Sequence, residues 1–582
     1  MGPTIALVGS EHEENLSLRY LAGALERAGY RPEIVAHDGE EGRAEAVNRI
    51  LELAPLVVGI SIPFQHRAPK MLEVAADLRR RGYGGHVTIG GHFATFEYAP
   101  ILRDHPAIDS AVRHEGELTL VELCDLLSRG EDVTAIPGLV IRDRARPAVR
   151  RLPISGRSDE GAPAVLVGPE RPLPSLDSLA FPDRRGEAME ILGIPSAPIV
   201  GSRGCYADCS FCCIYAYAEA AKGPRYRMRS VENIVAEMKR EREERGVRLF
   251  VFHDDNFFVP YAPKNLQRYE KMSALLRREG LTDIGLVIKC RPNDVNPELF
   301  GVLKDMGVIR AYVGIETATE AGIVSLNRRI TDDDNRRALR VLRDLDMYAS
   351  FNMLIFDPEA TLEGVETNLA FMAEHADVPW NFCRAEVYAG TPLKSTLESE
   401  GRLSGNYLAW NYEMRDPRVE LLFRIATQAF FGRNFKNDGV ANLNMGLRFD
   451  AEMLRHYYPG AWDPDLGARL LRFSRALGEA SVAKMREALA FARGADLSDR
   501  RGAQAYLLDL SRRVAREDLD LLRQVKAFRR ELESRAGLAG ARGRAFGEGM
   551  PVWAAETGRL GSSVGREVST ELLPSPAGTW AV

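Results

Sequence analysis

The sequence predicts an α/β fold followed by a helical region. Short apolar segments alternate with amphipathic helical segments over residues 1–143, and again over residues 198–395. This alternation is typical of parallel strands buried under helices. From residue 396 to 535 only helical periodicity is found. We therefore expect a doubly wound, Rossmann-like N-terminal domain, a partial (β/α)6 barrel and a helical C-terminal domain.

The elements of the two α/β regions can be placed in order. In the first region the strands are TIALVG, PEIVA, PLVVGISI, HVTIGG and the beginning of SAVRHEGELTLVELCDLL, and a helix that follows the first strand is expected to end at Gly29. In the second region the strands are APIVG, RLFVFHDDNFF, DIGLVIKC, IRAYVGIET, YASFNMLIF and NFCRAEVYAG. Residues 144–197 are rich in Pro, Arg, Gly and Ser, which predicts a linker. Residues 536–582 are rich in Gly, Ala and Ser, and are predicted to be disordered.

Composition narrows the classes of function. The chain has 582 residues, of which 45% are hydrophobic and 27% charged, and a net charge of −5. An acidic balance favours a small-molecule or peptide substrate over nucleic acid. No apolar run approaches the ~20 residues of a membrane span, and the N-terminus lacks the basic start of a signal peptide. We expect a cytoplasmic protein that does not bind a membrane.

Four of the seven cysteines lie between residues 205 and 213. Cys205, Cys209 and Cys212 have C-x3-C-x2-C spacing, with Cys213 as a bystander. In a reducing compartment such clusters bind metal more often than they form disulfides. Structural zinc is the alternative, but it usually takes four ligands in two separated pairs, and no second pair follows. Three thiolates on one loop suit a [4Fe–4S] cluster with one open iron.

These cysteines, with Phe211 just before the third and a βα barrel around them, resemble the radical S-adenosylmethionine (SAM) superfamily. The preceding α/β domain and a linker containing LPSLDSLAFPDRR resemble its cobalamin-binding subclass, over about residues 5–395. The resemblance implies three cofactors: a [4Fe–4S] cluster, SAM and cobalamin. It further implies an external electron donor of the flavodoxin or ferredoxin type, radical hydrogen abstraction, and delivery of a methyl group from cobalamin.

The resemblance also implies contact residues at strand ends. For SAM these are Phe211, Asp254, Asp255, Lys289, Arg291, Glu316 and Tyr388. Helix caps and internal salt bridges are the alternative roles. For cobalamin they are Ser10, Asn15, Ser61, His66, Arg67, Gly90, Gly91, His92, Glu115, Gly116 and Glu117. Tight turns are the alternative here. Because no D-x-H-x-x-G stretch is present, we expect cobalt to lack a protein ligand, although His66 and Arg67 could approach its lower face.

The predicted function is methylation of a carbon centre in a natural product or peptide precursor. One alternative keeps the same cofactors for cyclisation or rearrangement without methyl transfer. Another is a cobalamin- or redox-sensing binding protein. The sequence identifies neither the substrate nor a catalytic side chain.

Overall fold

The computed structural model describes residues 2–11, 14–37, 42–143 and 165–538. It divides into two compact units. The first unit comprises Met1–Gly186, Phe211–Arg229 and Val387–Asn411, and the second comprises Glu187–Ser210, Ser230–Glu386 and Tyr412–Val582. Residues 144–164 of the predicted linker and 539–582 of the predicted tail lie outside the described residues.

The first unit is built on a seven-stranded sheet with the order β2-β1-β3-β4-β5-β6-β7. Its strands are β1 (Thr4–Gly9), β2 (Arg31–Ala36), β3 (Val57–Ser61), β4 (His86–Gly90), β5 (Ser110–Val112), β6 (Leu139–Arg142) and β7 (Val165–Val167). Strands β1 to β5 are parallel, whereas β6 and β7 add an antiparallel pair that the sequence did not indicate. The helices between them are α1 (Leu16–Arg27), α2 (Arg43–Leu53), α3 (Ala68–Arg80), α4 (His92–Asp104) and α5 (Glu117–Arg129).

Alternate residues of β1 enter opposite hydrophobic cores. Ala6 and Val8 pack in the core formed with α2, α3 and α4. Ile5 and Leu7 pack in the core formed with α1 and α5. Successive strand residues point to opposite faces, so both faces of this sheet are covered by helices. The predicted doubly wound fold is confirmed.

The second unit contains the predicted half-barrel, whose sheet has the order β8-β9-β12-β13-β14-β15-β16. Six strands, β9 and β12 to β16, are parallel, as predicted. The prediction began the first strand at APIVG, but that strand instead starts earlier and forms an antiparallel hairpin with β8. The strands are β8 (Met189–Ile191), β9 (Ile194–Ile199), β10 (Ser202–Gly204), β11 (Tyr226–Met228, first unit), β12 (Leu249–Phe252), β13 (Gly285–Cys290), β14 (Val308–Glu316), β15 (Tyr348–Phe356) and β16 (Trp380–Arg384).

Helices connect the strands of the second unit, and the predicted helical region follows them. They are α6 (Cys213–Ala220, first unit), α7 (Val231–Arg245), α8 (Ala262–Arg278), α9 (Pro297–Asp305), α10 (Glu320–Ser325), α11 (Asp332–Asp344), α12 (Leu362–Glu374), α13 (Pro392–Ser399, first unit), α14 (Pro417–Ala429), α15 (Val440–Tyr457), α16 (Pro464–Gly494) and α17 (Arg500–Arg535). The first unit also contains the hairpin β17 (Ser404–Asn406) and β18 (Ala409–Asn411). Within the described ranges, no helix is long and apolar enough to cross a membrane.

The half-barrel sheet is also buried on both faces. Leu249 and Val251 of β12 share a core with Met445 and Phe449 of α15. Phe351 of β15 packs against α12, where its ring centroid lies 5.9 Å from that of Phe371. Apolar side chains inside the sheet therefore pack against helices on both sides, although Arg310 of β14 and Ser350 of β15 are buried polar exceptions.

Candidate cofactor sites

The cysteine loop begins directly after β10. Cys209 is buried, whereas Cys205, Cys212 and Cys213 are partly buried. Burial raises the pKa of Cys205 to about 11. The thiol therefore keeps its proton at neutral pH until a metal replaces it. In the part of the chain that the structure describes, no three His, Cys, Asp or Glu side chains are grouped closely enough to hold a metal ion, and the three cysteines are no exception.

Two buried arginines point at the sulfur of Cys209. Nη1 of Arg291 lies 3.2 Å from Sγ, and Nη1 of Arg328 lies 3.3 Å from it. Cys209 is 5% exposed, Arg291 7% and Arg328 4%. Guanidinium donors stabilise an anionic acceptor more than a neutral one. These donors fit a thiolate that is bound to an iron–sulfur cluster, whose sulfurs commonly accept hydrogen bonds.

The two predicted aspartates at the end of β12 have different surroundings. Asp254 is buried and accepts hydrogen bonds from the Gly201 amide, at 2.9 Å, and from the Ser202 hydroxyl. Burial raises the pKa of Asp254 to about 6. Asp255 is exposed and accepts a 3.0 Å hydrogen bond from the Gly204 amide. Asp254 thus ties β12 to the segment that leads into the cysteine loop, while Asp255 presents its carboxylate to solvent beside that loop.

Glu316 at the end of β14 joins the group around Cys209. Its φ is +67°, an unfavourable angle for a residue with a side chain. Burial raises the pKa of its carboxyl group, and the charges of Arg328 and Arg291 oppose that rise. The structure thus brings Arg291 and Glu316 together near Cys209. Lys289 lies on the neighbouring strand β13.

Phe211 and Tyr388 were also predicted to contact SAM, and both belong to the first unit. The Tyr388 ring lies 6.3 Å from that of Phe64. Phe64 in turn stacks on His66, with 5.7 Å between the ring centroids. Their role in binding SAM stays a prediction.

The predicted cobalamin residues gather at the carboxyl ends of the first unit's parallel strands. They follow or end β1, β3, β4 and β5: Ser10, Asn15, Ser61, His66, Arg67, Gly90, Gly91, His92, Glu115, Gly116 and Glu117. This is the edge at which doubly wound sheets bind ligands. Gly91 has φ +103°, and a Cβ atom there would lie 2.8 Å from the Ile62 carbonyl oxygen. Only glycine permits this close approach of the chain after β4 to the chain after β3.

Some of these residues also have structural partners. Asn15 caps α1 by accepting from the Leu18 amide at 3.3 Å, and its Nδ2 donates to the Ser10 carbonyl at 2.9 Å. Glu115 forms an ion pair with Arg227. These contacts shape the sheet edge; the role of the residues in binding cobalamin stays a prediction.

Sequence reasoning did not single out Tyr217 or Arg328. The Tyr217 ring on α6 lies 4.3 Å from that of His92 and 5.5 Å from that of His114. His114 is buried and has φ +61°. An aromatic residue in a helix is a weak signal, because most such residues serve the core. Arg328 is hidden in the basic sequence NRRI, which is typical of a solvated surface.

Family models match both regions. The Radical SAM superfamily model matches residues 199–372, which include the cysteine loop and most of the half-barrel. The chain therefore contains a radical SAM domain. The B12-binding domain model matches residues 4–124. The chain is therefore a cobalamin-dependent radical SAM enzyme, and its cofactors are a [4Fe–4S] cluster, SAM and cobalamin.

Individual proteins are similar to much of this chain. An uncharacterized methyltransferase of Pyrococcus horikoshii is 28% identical over 70% of this chain and 83% of its own length. The hopanoid C-3 methylase of Methylococcus capsulatus is 26% identical over 73% of this chain and 76% of its own length. The solved structure of TsrM from Kitasatospora setae, with cobalamin and a [4Fe–4S] cluster bound, has a TM-score of 0.55 at 21% identity. The matched region covers 69% of this chain and 75% of TsrM, and it shows that the two proteins have a similar fold.

Proposed function

We propose that the enzyme is a methyltransferase that acts on a carbon atom of a small molecule or peptide. One observation carries the proposal. A chain with a cobalamin domain and a cysteine-bearing half-barrel aligns over most of its length with proteins named as a methyltransferase and a methylase. When bound, the three cofactors supply hydrogen abstraction and a transferable methyl group. The protein supplies binding, orientation and exclusion of water.

Cys205, Cys209 and Cys212 hold the cluster in this proposal. The charged groups near Cys209 suit the amino-acid end of SAM. A carboxylate such as Asp255 or Glu316 can accept from the ammonium group, and Arg291 can donate to the carboxylate. The strain at Glu316 is consistent with this role, because strained residues collect at binding and catalytic sites.

The first unit holds cobalamin at its strand ends. Gly90 and Gly91 allow the backbone to approach the cofactor closely. His92 lies next to the Tyr217 ring, which provides an aromatic surface at the same edge. His66 and Arg67 follow β3 on a short turn and are the proposed neighbours of the lower face.

We place the enzyme in the cytoplasm in this proposal, because cysteines that bind a metal cluster need a reducing compartment. A flavodoxin- or ferredoxin-type protein is the proposed electron donor. The substrate is a small molecule or peptide, in keeping with the acidic net charge of −5.

The test uses full-length protein reconstituted anaerobically with iron, sulfide and cobalamin. It receives a reductant and SAM with a deuterated methyl group, and mass spectrometry follows the products. We expect the label on the corrinoid together with 5′-deoxyadenosine. 5′-Deoxyadenosine without label on the corrinoid would favour cyclisation or rearrangement instead. If the corrinoid carries no label and no 5′-deoxyadenosine forms, the methyltransferase proposal fails and a sensing role regains support.

A further inference from the structure

The segment Ser325–Arg329, which begins at the last residue of α10, is hydrogen-bonded to the cysteine loop; we name it the brace segment. The Ser210 amide donates to the Leu326 carbonyl at 3.0 Å, and the Ser210 hydroxyl donates to the Ser325 carbonyl at 2.9 Å. Nδ2 of Asn327 donates to the Asp208 carbonyl at 2.8 Å. The loop between Cys205 and Cys212 is therefore held by a second stretch of chain.

The backbone of the brace segment adopts left-handed angles on both sides of one residue. Asn327 has φ +47° and Arg329 has φ +50°. Asparagine tolerates such angles, whereas arginine keeps them only where the surroundings enforce them. Arg328 lies between these two residues. The conformation thus turns the Arg328 side chain inward, while Arg329 remains 71% exposed.

Arg328 contacts the cluster loop and the half-barrel at once. Its Nη1 donates to Cys209 Sγ at 3.3 Å, and its Nη2 donates to the Gly314 carbonyl on β14. Its own carbonyl accepts from Nη2 of Arg291, the second donor to the same sulfur. Arg328 therefore fixes both guanidinium groups that face Cys209.

We propose that Arg328 is a positioning residue that holds the Cys209 sulfur and makes the cluster easier to reduce. Reduction adds a negative charge to the cluster. A buried cation that donates to a ligand sulfur stabilises the reduced form more than the oxidised form. The inference rests on the cluster being bound by the cysteine loop, which the iron content of the wild-type enzyme tests separately. It does not depend on methyl transfer.

The experiment compares three variants of the full-length enzyme after anaerobic reconstitution. Arg328→Gln removes the charge, and Arg328→Lys keeps it without the two-pronged donor. Arg329→Gln is the matched control, because Arg329 pairs with the Asp208 carboxylate of the same loop and does not contact the sulfur. Iron and sulfide are measured first. A titration with dithionite and redox mediators, read by EPR, then gives the midpoint potential of each protein.

We expect Arg328→Gln to need a more negative potential. At the wild-type midpoint its ratio of reduced to oxidised cluster should fall about tenfold, which equals about 59 mV for a one-electron couple. The midpoint potential of Arg328→Lys should lie between those of Arg328→Gln and the wild type, and that of Arg329→Gln should equal the wild-type value. A folded Arg328→Gln protein that loads less iron than Arg329→Gln would also support the positioning role. A wild-type potential in Arg328→Gln, or equal shifts in Arg328→Gln and Arg329→Gln, would overturn the proposal.

Discussion

The two seven-stranded sheets of this enzyme present similar edges but equip them with different residues. In the first unit the strand ends carry glycines and imidazoles, as at Gly91 and His92, and the Tyr217 ring of α6 lies beside His92. In the half-barrel they carry acids and guanidinium groups around a buried thiol, as at Glu316 and Arg291. The topology therefore decides where a ligand binds, and the strand-end residues decide which ligand. The glycines and rings of the first unit suit a large corrinoid. The charged groups of the half-barrel suit an anionic cluster and the amino-acid end of SAM.

Loss of a cluster ligand should have the largest effect of the substitutions, and it should affect the half-barrel edge alone. Cys209→Ala is expected to reduce 5′-deoxyadenosine formation by more than about 100-fold, because even the loss of a residue that only supports a metal ligand costs up to about 100-fold. Cobalamin binding should stay at the wild-type level. Cys213→Ala is the matched control, since we predict that Cys213 is not a ligand. Full activity in Cys209→Ala, or a complete loss in Cys213→Ala, would contradict the assignment.

Gly91→Ala should impair cobalamin binding at the sheet edge of the first unit. It combines strain of about 1–3 kcal/mol, from a backbone conformation (φ +103°, ψ 176°) that is almost confined to glycine, with a close contact to the Ile62 carbonyl that costs about 1–3 kcal/mol. We expect weaker cobalamin binding in a spectrophotometric titration, with normal iron uptake. Gly82→Ala is the control, because Gly82 has a φ of +88°, but a Cβ atom there meets no atom within 4 Å. Equal effects of the two substitutions would show that strain alone, and not the close approach, is responsible.

The raised pKa of Asp254 predicts that the free energy of unfolding depends on pH, through a group in the half-barrel. Its pKa is raised from 3.8 to about 6, so ionisation opposes folding. As the pH rises from about 4 to 6, the wild type should lose about 3 kcal/mol of unfolding free energy relative to Asp254→Asn, and above that range the difference should be constant. Urea unfolding of both proteins across this range measures it. A difference that does not change with pH would contradict the buried carboxyl group.

Tyr217 should have the smallest effect. Its helix follows the cysteines in sequence but packs in the first unit. An aromatic pair contributes about 0.5–1.5 kcal/mol, so Tyr217→Leu should weaken cobalamin binding by about 2–12-fold. Tyr217→Phe keeps the ring and should bind as the wild type does. If Tyr217→Leu instead alters only the iron content, the prediction is wrong and Tyr217 contributes to the cluster site.

Much of this architecture could be predicted because it depends on local patterns. Six apolar runs predict six parallel strands, and the spacing of three cysteines predicts the cluster. Arg328 could not be found this way, since its role depends on left-handed angles at Asn327 and Arg329 that the sequence NRRI does not reveal. The antiparallel β6 and β7 were missed because an edge pair carries little periodic signal.

The central claim is that one chain holds both cofactors at two separate sheet edges. The most direct test is to measure iron and corrinoid per chain after anaerobic reconstitution of the wild type and removal of unbound cofactor. The account predicts about four iron atoms and one corrinoid per chain. Four iron atoms without bound corrinoid, or corrinoid without iron, would contradict it.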